Sequence, residues 1–188
     1  MKALVMPHNG VAPTFGRDVF LAPTCSVIGD VRLGNRVSVW YGVVLRGDVH
    51  TITVGDNSNL QDGAIFHGTH GVWPVVIGER VSIAHGAIVH GAVIEDDVLI
   101  GIGARVLDGS RIGRLSLVAA GAVVREGVTI PPRSLVTGVP GVVKRQLTDS
   151  EVERITGTPP QYAEYARDTR ASCLRAEHED PFWEGRAV

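Results

Sequence analysis

The chain has 188 residues, a length that suits one domain with at most a small appendage. It is 44% hydrophobic but only 5% aromatic, and 23 residues are glycine, so a core must be built from small aliphatic side chains. A formal net charge of −2 gives no basic field for nucleic acid, and no apolar run approaches the ~18–20 residues that span a bilayer.

The first residues, MKALVMPHNGVAP, carry one lysine and an apolar run too short for a signal peptide. Cys25 and Cys173 lie far apart with no CxxC spacing, and they read as free thiols. Both features point to a cytoplasmic protein.

From Leu21 onward the chain counts in sixes. An aliphatic residue recurs at Leu21, Val27, Leu33, Val39 and Leu45, and Val54, Leu60 and Phe66 follow. Ile77, Ile83 and Val89 continue the series. It then runs unbroken through Ile94, Ile100, Val106, Ile112, Val118, Val124, Ile130 and Val136. Four places after the later members stand small or β-branched residues, such as Val98, Ala104, Ser110, Ser116 and Ala122. Period six fits neither the 3.6 of a helix nor simple alternation. It fits a short strand and a corner, repeated. Three hexads close one triangular coil, and successive coils stack as parallel strands about 4.8 Å apart. The pattern predicts an all-β solenoid, a parallel β-helix of hexapeptide repeats over 1–147. A β-sandwich of short strands does not hold one phase for so long.

The phase breaks in three places. Thr51-Ile52-Thr53 reads as an insertion, His70 to Val76 as a short loop, and one residue is missing between Val89 and Ile94. Irregularities in a solenoid gather on one face, often the functional one. These three bracket a run of histidines, His67, His70, His85 and His90, each followed by glycine.

Counting coil by coil puts Leu45, Phe66, Val89 and Val106 on one face. The residues after them form an outward column of Arg46, His67, His90 and Leu107, so His67 and His90 stand one rung apart. His85 belongs to the preceding face, in a column of Tyr41, Asp62, His85 and Ile102. Outward side chains on two faces diverge, so His85 meets the other two only across an interface with a second copy. A cyclic trimer would make three such sites. Three imidazoles suit Zn2+, with a water as fourth ligand whose pKa falls to about 7, and Fe2+ or Co2+ also accept imidazole. His8, His50 and His178 find no partner in this pattern.

After Val136 the repeat stops. Thr148-Asp149-Ser150-Glu151 reads as a capping box opening a short helix. GTPP at 157–160 is expected to break it, with a second helix from Gln161 to about Glu177 and a loose tail from His178. These make up a C-terminal α-helical segment over 148–188. Tyr162 and Tyr165 lie on it, either reaching the metal pocket from a flanking helix or packing on the surface, and surface packing is the favoured reading.

WYGVVLRGDVHTITVGDNSNLQDGAIFH followed by IAHGAIVHG resembles the γ-class carbonic anhydrase family over residues 10–147. The resemblance implies a left-handed β-helix and a homotrimer with interfacial metals. Handedness rests on the resemblance alone, since crossovers are generally right-handed. It implies reversible hydration of CO2 to bicarbonate by a metal-bound hydroxide. It assigns His67 and His90 of one subunit and His85 of its neighbour as ligands. It places Arg46 beside bicarbonate, Asp48 and Asp62 as ion-pair partners of Arg46, partly across the interface, and Gln61 near the metal's water. The sequence also departs from the pattern: Val49 stands where a glutamate follows the arginine-aspartate pair, and the loop HGTHGVWP carries no carboxylate. His70 is then the candidate proton relay. Two other readings fit the repeat: an acyl-CoA thioesterase or acyltransferase, and a catalytically silent trimeric scaffold.

Overall fold

The computed structural model describes residues 3–179, with side-chain burial given through Cys173. The chain winds as a parallel β-solenoid of about 7 turns, closed by one C-terminal helix. One face stacks the strands Phe20–Leu21, Ser38–Val39, Asn59–Leu60, Ser82–Ile83, Leu99–Ile100 and Leu117–Val118. The second stacks the first halves of Ser26–Leu33 and Val44–Val54 on Ile65–His67, Ile88–His90, Arg105–Val106 and Val123–Val124. The third continues from their second halves to Val75–Ile77, Val93–Ile94, Arg111–Ile112 and Thr129–Ile130. The two long strands bend round a corner and so join the second and third faces in one twelve-stranded sheet.

The sixth-residue aliphatics fill the interior. Val27, Leu45, Phe66, Val89, Val106 and Val124 form one column, all at 0% exposure. Leu21, at the open end, is only half-buried. The small residues four places on are needed because three walls converge there: Ala104, Ser110, Ser116 and Ala122 are all buried. The serines satisfy themselves on the backbone, as when Ser134 Oγ donates to Pro131 O at 2.7 Å. Among the described residues no buried side-chain nitrogen or oxygen lacks a partner.

The irregularities sit differently from their sequence reading. Ile52 and Thr53 pair in register with Val31 and Arg32, and Ile52 is fully buried. The extra residues are Asp48 to Thr51, which bulge opposite Asp30 between the pairs Gly29–Gly47 and Val31–Ile52. The hydrophobic Ile52 wins a core place, so the polar residues before it are the ones expelled. The second loop ends at Pro74, because Val75–Ile77 is already a strand whose Val75 and Ile77 point inward.

The C-terminal segment is one helix, Asp149–Glu179, with Pro159 and Pro160 inside it, rather than two. Thr148 and Glu151 bond reciprocally at its start, with Thr148 N donating to Glu151 Oε2 at 2.9 Å and Glu151 N to Thr148 Oγ1 at 3.3 Å. The prolines remove two N–H donors, which usually breaks a helix. Here docking on the solenoid outweighs that loss. Ile155, before the prolines, and Ala166, after them, are both buried, and Arg170 Nη2 donates to Val19 O at 2.7 Å. Leu174 lies where side chains are not described. Of the expected tail, His178 and Glu179 are helical and the rest lies outside the described residues.

Two tests follow from this packing. Phe66→Ala empties the largest fully buried site and should cost about 3–5 kcal/mol in urea denaturation, against less than about 0.5 kcal/mol for a surface substitution such as Glu126→Gln. The Glu151 carboxyl is held down to about 2 by hydrogen bonds from Arg145 and from the Thr148 amide. Its contribution to the helix start is therefore complete above its ordinary 4.5 and is lost as pH falls toward 2. Circular dichroism between pH 5 and 2 should show Glu151→Gln losing that part of the acid dependence.

Candidate metal centre

The second face carries the site. Its register pairs Arg46 with His67 and His67 with His90, so the three stand in one column. The two imidazole centroids are 5.2 Å apart, and His67 Nδ1 lies 3.1 Å from His90 Nε2.

The outer nitrogen of each ring is held by a carboxylate. His67 Nε2 donates to Asp48 Oδ1 at 3.0 Å, and His90 Nδ1 donates to Asp108 Oδ1. Asp48 reaches His67 because it belongs to the expelled bulge, and it also accepts a short bond from Arg46 Nη1. Burial disfavours ionisation of Asp48, but the bonds from Arg46 and His67 outweigh it and lower its pKa. Burial opposes Asp108 likewise, and bonds from Thr69 and His90 again prevail. Two ionised acceptors therefore fix the protons of both rings on their outer nitrogens. At 3.1 Å the two facing nitrogens either share a proton or both turn a lone pair toward a cation.

A metal fits that place. Two nitrogens on a tetrahedral zinc at about 2.0–2.1 Å are separated by about 3.3 Å, close to the spacing seen. Among the described residues, no group of three or more His, Cys, Asp or Glu within one chain is arranged to hold a metal ion by itself.

His85 is elsewhere. It stacks with Tyr41, Asp62 and Ile102 at another corner, where Gly63, Gly86 and Gly103 N–H groups donate to the carbonyls of Tyr41, Asp62 and His85. His85 Nδ1 pairs with Asp62 Oδ2 at 2.8 Å, and its Nε2 meets Tyr162 OH at 3.4 Å. Its side chain is 46% exposed. Within one chain, then, Asp62 serves His85, and only Asp48 pairs with Arg46. Tyr162 packs edge-on against Trp40 with centroids 5.4 Å apart. Of the two readings of Tyr162, the favoured one, surface packing, gives way to a contact with His85.

Gln61 is buried, and its Nε2 donates to Asn59 Oδ1 at 3.0 Å. His70 is exposed in the loop after Gly68. That loop closes through a bridge between Thr69 and Trp73 and is tied to the site by a short bond from Thr69 Oγ1 to Asp108. Asp108 and Thr69 escaped the sequence reading. Asp108 was one residue beyond Leu107, where the column count stopped, and Thr69 lies in a loop that has no hexad phase.

The glycines after the histidines have separate reasons. Gly86 turns the corner at φ +65° with no neighbour near its missing side chain. Gly91 lies at φ +54°, and a Cβ there would strike Asp108 Oδ1 and stand 2.7 Å from Trp73 Cβ. Its bare α-carbon is the gap through which Asp108 reaches His90.

Several known proteins are similar to this chain. The bacterial transferase hexapeptide (six repeats) family matches residues 91–126. "Gamma carbonic anhydrase 1, mitochondrial" of Arabidopsis thaliana is 42% identical over 83% of this chain and 58% of its own length. The chain therefore spans somewhat over half of that relative. "Probable carbonic anhydrase" of Methanocaldococcus jannaschii is 44% identical over 78% of this chain and 91% of its own. Among solved structures, a candidate acetyltransferase of Bacillus cereus superposes with a TM-score of 0.88 at 32% identity, over 91% of this chain and 99% of that one.

Gly91→Ala should destabilise the fold more than Gly121→Ala. Gly121 has a similar φ of +68° but nothing within 4 Å of its missing Cβ, so it measures the backbone penalty alone. That penalty is about 1–3 kcal/mol, and the excess at Gly91, read by urea denaturation, reports the clash with Asp108 and Trp73. Equal losses would contradict the geometry.

Proposed function

This chain belongs to the γ-class carbonic anhydrase family, and we propose that it is a metalloenzyme hydrating CO2 reversibly to bicarbonate at sites shared between subunits of a homotrimer. One observation carries the reading: His67 Nδ1 and His90 Nε2 face each other at 3.1 Å with their protons fixed on the far side by Asp48 and Asp108. The proposed ligands are His67 and His90, completed by His85 of the partner subunit. Zn2+ suits this set, and Fe2+ or Co2+ would also accept it. When bound, such a metal lowers the pKa of a coordinated water to about 7 and so supplies a nucleophile near neutrality.

The chain's own residues then divide the work. Arg46 is the cation next to His67, with a side chain 45% exposed, and it orients the bicarbonate anion while Asp48 fixes its guanidinium. Gln61 has its Nε2 committed to Asn59, which leaves Oε1 to orient water. Asp62 holds His85 in one tautomer and is also a candidate partner for Arg46 of the partner subunit. Each hydration releases a proton. His70, exposed on a loop anchored at Asp108, carries it to solvent. Among the described residues no helix is long and apolar enough to cross a membrane. The free cysteines fit a reducing compartment such as the cytosol.

Acyl transfer is the second reading, supported by the overlap with the Bacillus cereus candidate acetyltransferase. Coenzyme A turnover that survives a chelator would favour it.

Stopped-flow CO2 hydration on zinc-loaded protein tests the proposal. A rate well above background is expected, and His67→Ala and His90→Ala should each reduce it to the level of chelator-treated protein. Full zinc occupancy with no rate above background would contradict the proposal. His70→Ala should lower kcat in weak buffer on the order of 10²-fold, with recovery on adding imidazole. No loss in weak buffer would remove His70 from the relay.

A further inference from the structure

The bulge and the loop on either side of the histidine column both act through a carboxylate. The bulge delivers a carboxylate to the outer nitrogen of one ring, and the loop braces the carboxylate that holds the other. Asp48 is the first, on His67, and is shared with Arg46. Asp108 is the second, on His90, and its other oxygen is taken by Thr69 from the loop that interrupts the repeat. The loop is clamped on the rung below. Trp73 lies over Gly109, with ring carbons 3.0–3.2 Å from where a Cβ would stand, and its own Cβ occupies the space beside Gly91. Gly91, the short corner after Val89, leaves the gap that Asp108 crosses. Two irregular features, the loop and the short corner, thus converge on Asp108, while the third, the bulge, serves His67.

Resting on the metal reading above, we infer that Asp108 is a positioning residue for His90, and that Thr69 acts through Asp108. Asp108 holds the His90 proton on Nδ1 and turns Nε2 toward His67. Thr69 Oγ1 occupies the other carboxylate oxygen and keeps the carboxylate from swinging out to solvent; the Asp108 side chain is only 22% exposed, and among the described residues its ion pair is with His90. The loop's function in this account is to fix a ligand's supporting carboxylate. It needs no acidic residue of its own to do so. Outer partners of this kind typically change metal affinity by 10–100-fold.

The test is zinc affinity, measured by competition with a chromophoric chelator on the full chain, with the visible spectrum of Co2+-loaded protein as a second readout. Asp108→Ala should weaken zinc binding by about 10–100-fold and alter the Co2+ bands, while circular dichroism stays that of the wild type. Asp108→Asn keeps an acceptor for His90 Nδ1 and should recover most of the affinity. Thr69→Val should weaken binding by less, and its effect should vanish when combined with Asp108→Ala. Should the alanine variant not fold, Asp108→Asn and Thr69→Val decide the matter. Wild-type affinity in Asp108→Ala, equal weakness in Asp108→Asn, or a Thr69→Val effect that persists without Asp108 would each overturn the inference. A wild type that binds no zinc overturns the metal reading itself, so the two failures are distinguishable.

Discussion

The register of the coils is the constraint on which everything else rests. Parallel rungs bonded along the axis place residue pairs such as Arg46–His67 and His67–His90 one above the other, whatever their separation in sequence. Interior aliphatics at every sixth position fix that register, because a slip would turn the buried column of Leu45, Phe66 and Val89 outward. The core is thus what aligns the histidines. Two imidazoles 23 residues apart meet at 3.1 Å because a hydrophobic column beside them allows no other alignment.

A repeat by itself gives identical rungs, and identical rungs make no site. The chemistry comes from the departures. The expelled residues Asp48 to Thr51 bring a carboxylate and carry it past the wall to His67. The loop after Gly68 brings a hydroxyl to Asp108, and the short corner at Gly91 lets that carboxylate through to His90. His85 has its own carboxylate, Asp62, on a face that turns away. Each of the three histidines therefore has one nitrogen anchored by an aspartate and one directed elsewhere. In the proposed reading, the facing nitrogens of His67 and His90 mark where a cation would stand.

Period six was enough to read the solenoid, its interior column and the stacking of Arg46, His67 and His90, because all of these follow from counting. The winding hand came from family resemblance, since a hydrophobic period is the same in either sense. What counting missed lies where phase is lost. The position of the first bulge depended on Ile52 competing for a buried place, a tertiary effect that a sequence window does not contain. Asp108 and Thr69 are separated by 39 residues and joined only through a loop without periodicity. The prolines at 159 and 160 signalled a helix break, and local propensity did favour one. Docking of Ile155 and Ala166 on the solenoid overrode it, again a contact between distant parts of the chain.

The central claim is that two stacked imidazoles of one chain are completed by the His85 of another. Complementation between two inactive variants tests it most directly. His67→Ala chains and His85→Ala chains, each without CO2 hydration activity alone, are to be co-expressed and the mixed oligomers assayed. A chain with intact His67 and His90 beside a neighbour with intact His85 restores one site. Random assortment in a ring then predicts about one quarter of wild-type activity per interface. Mixed oligomers as inactive as their parents would contradict a site shared between subunits.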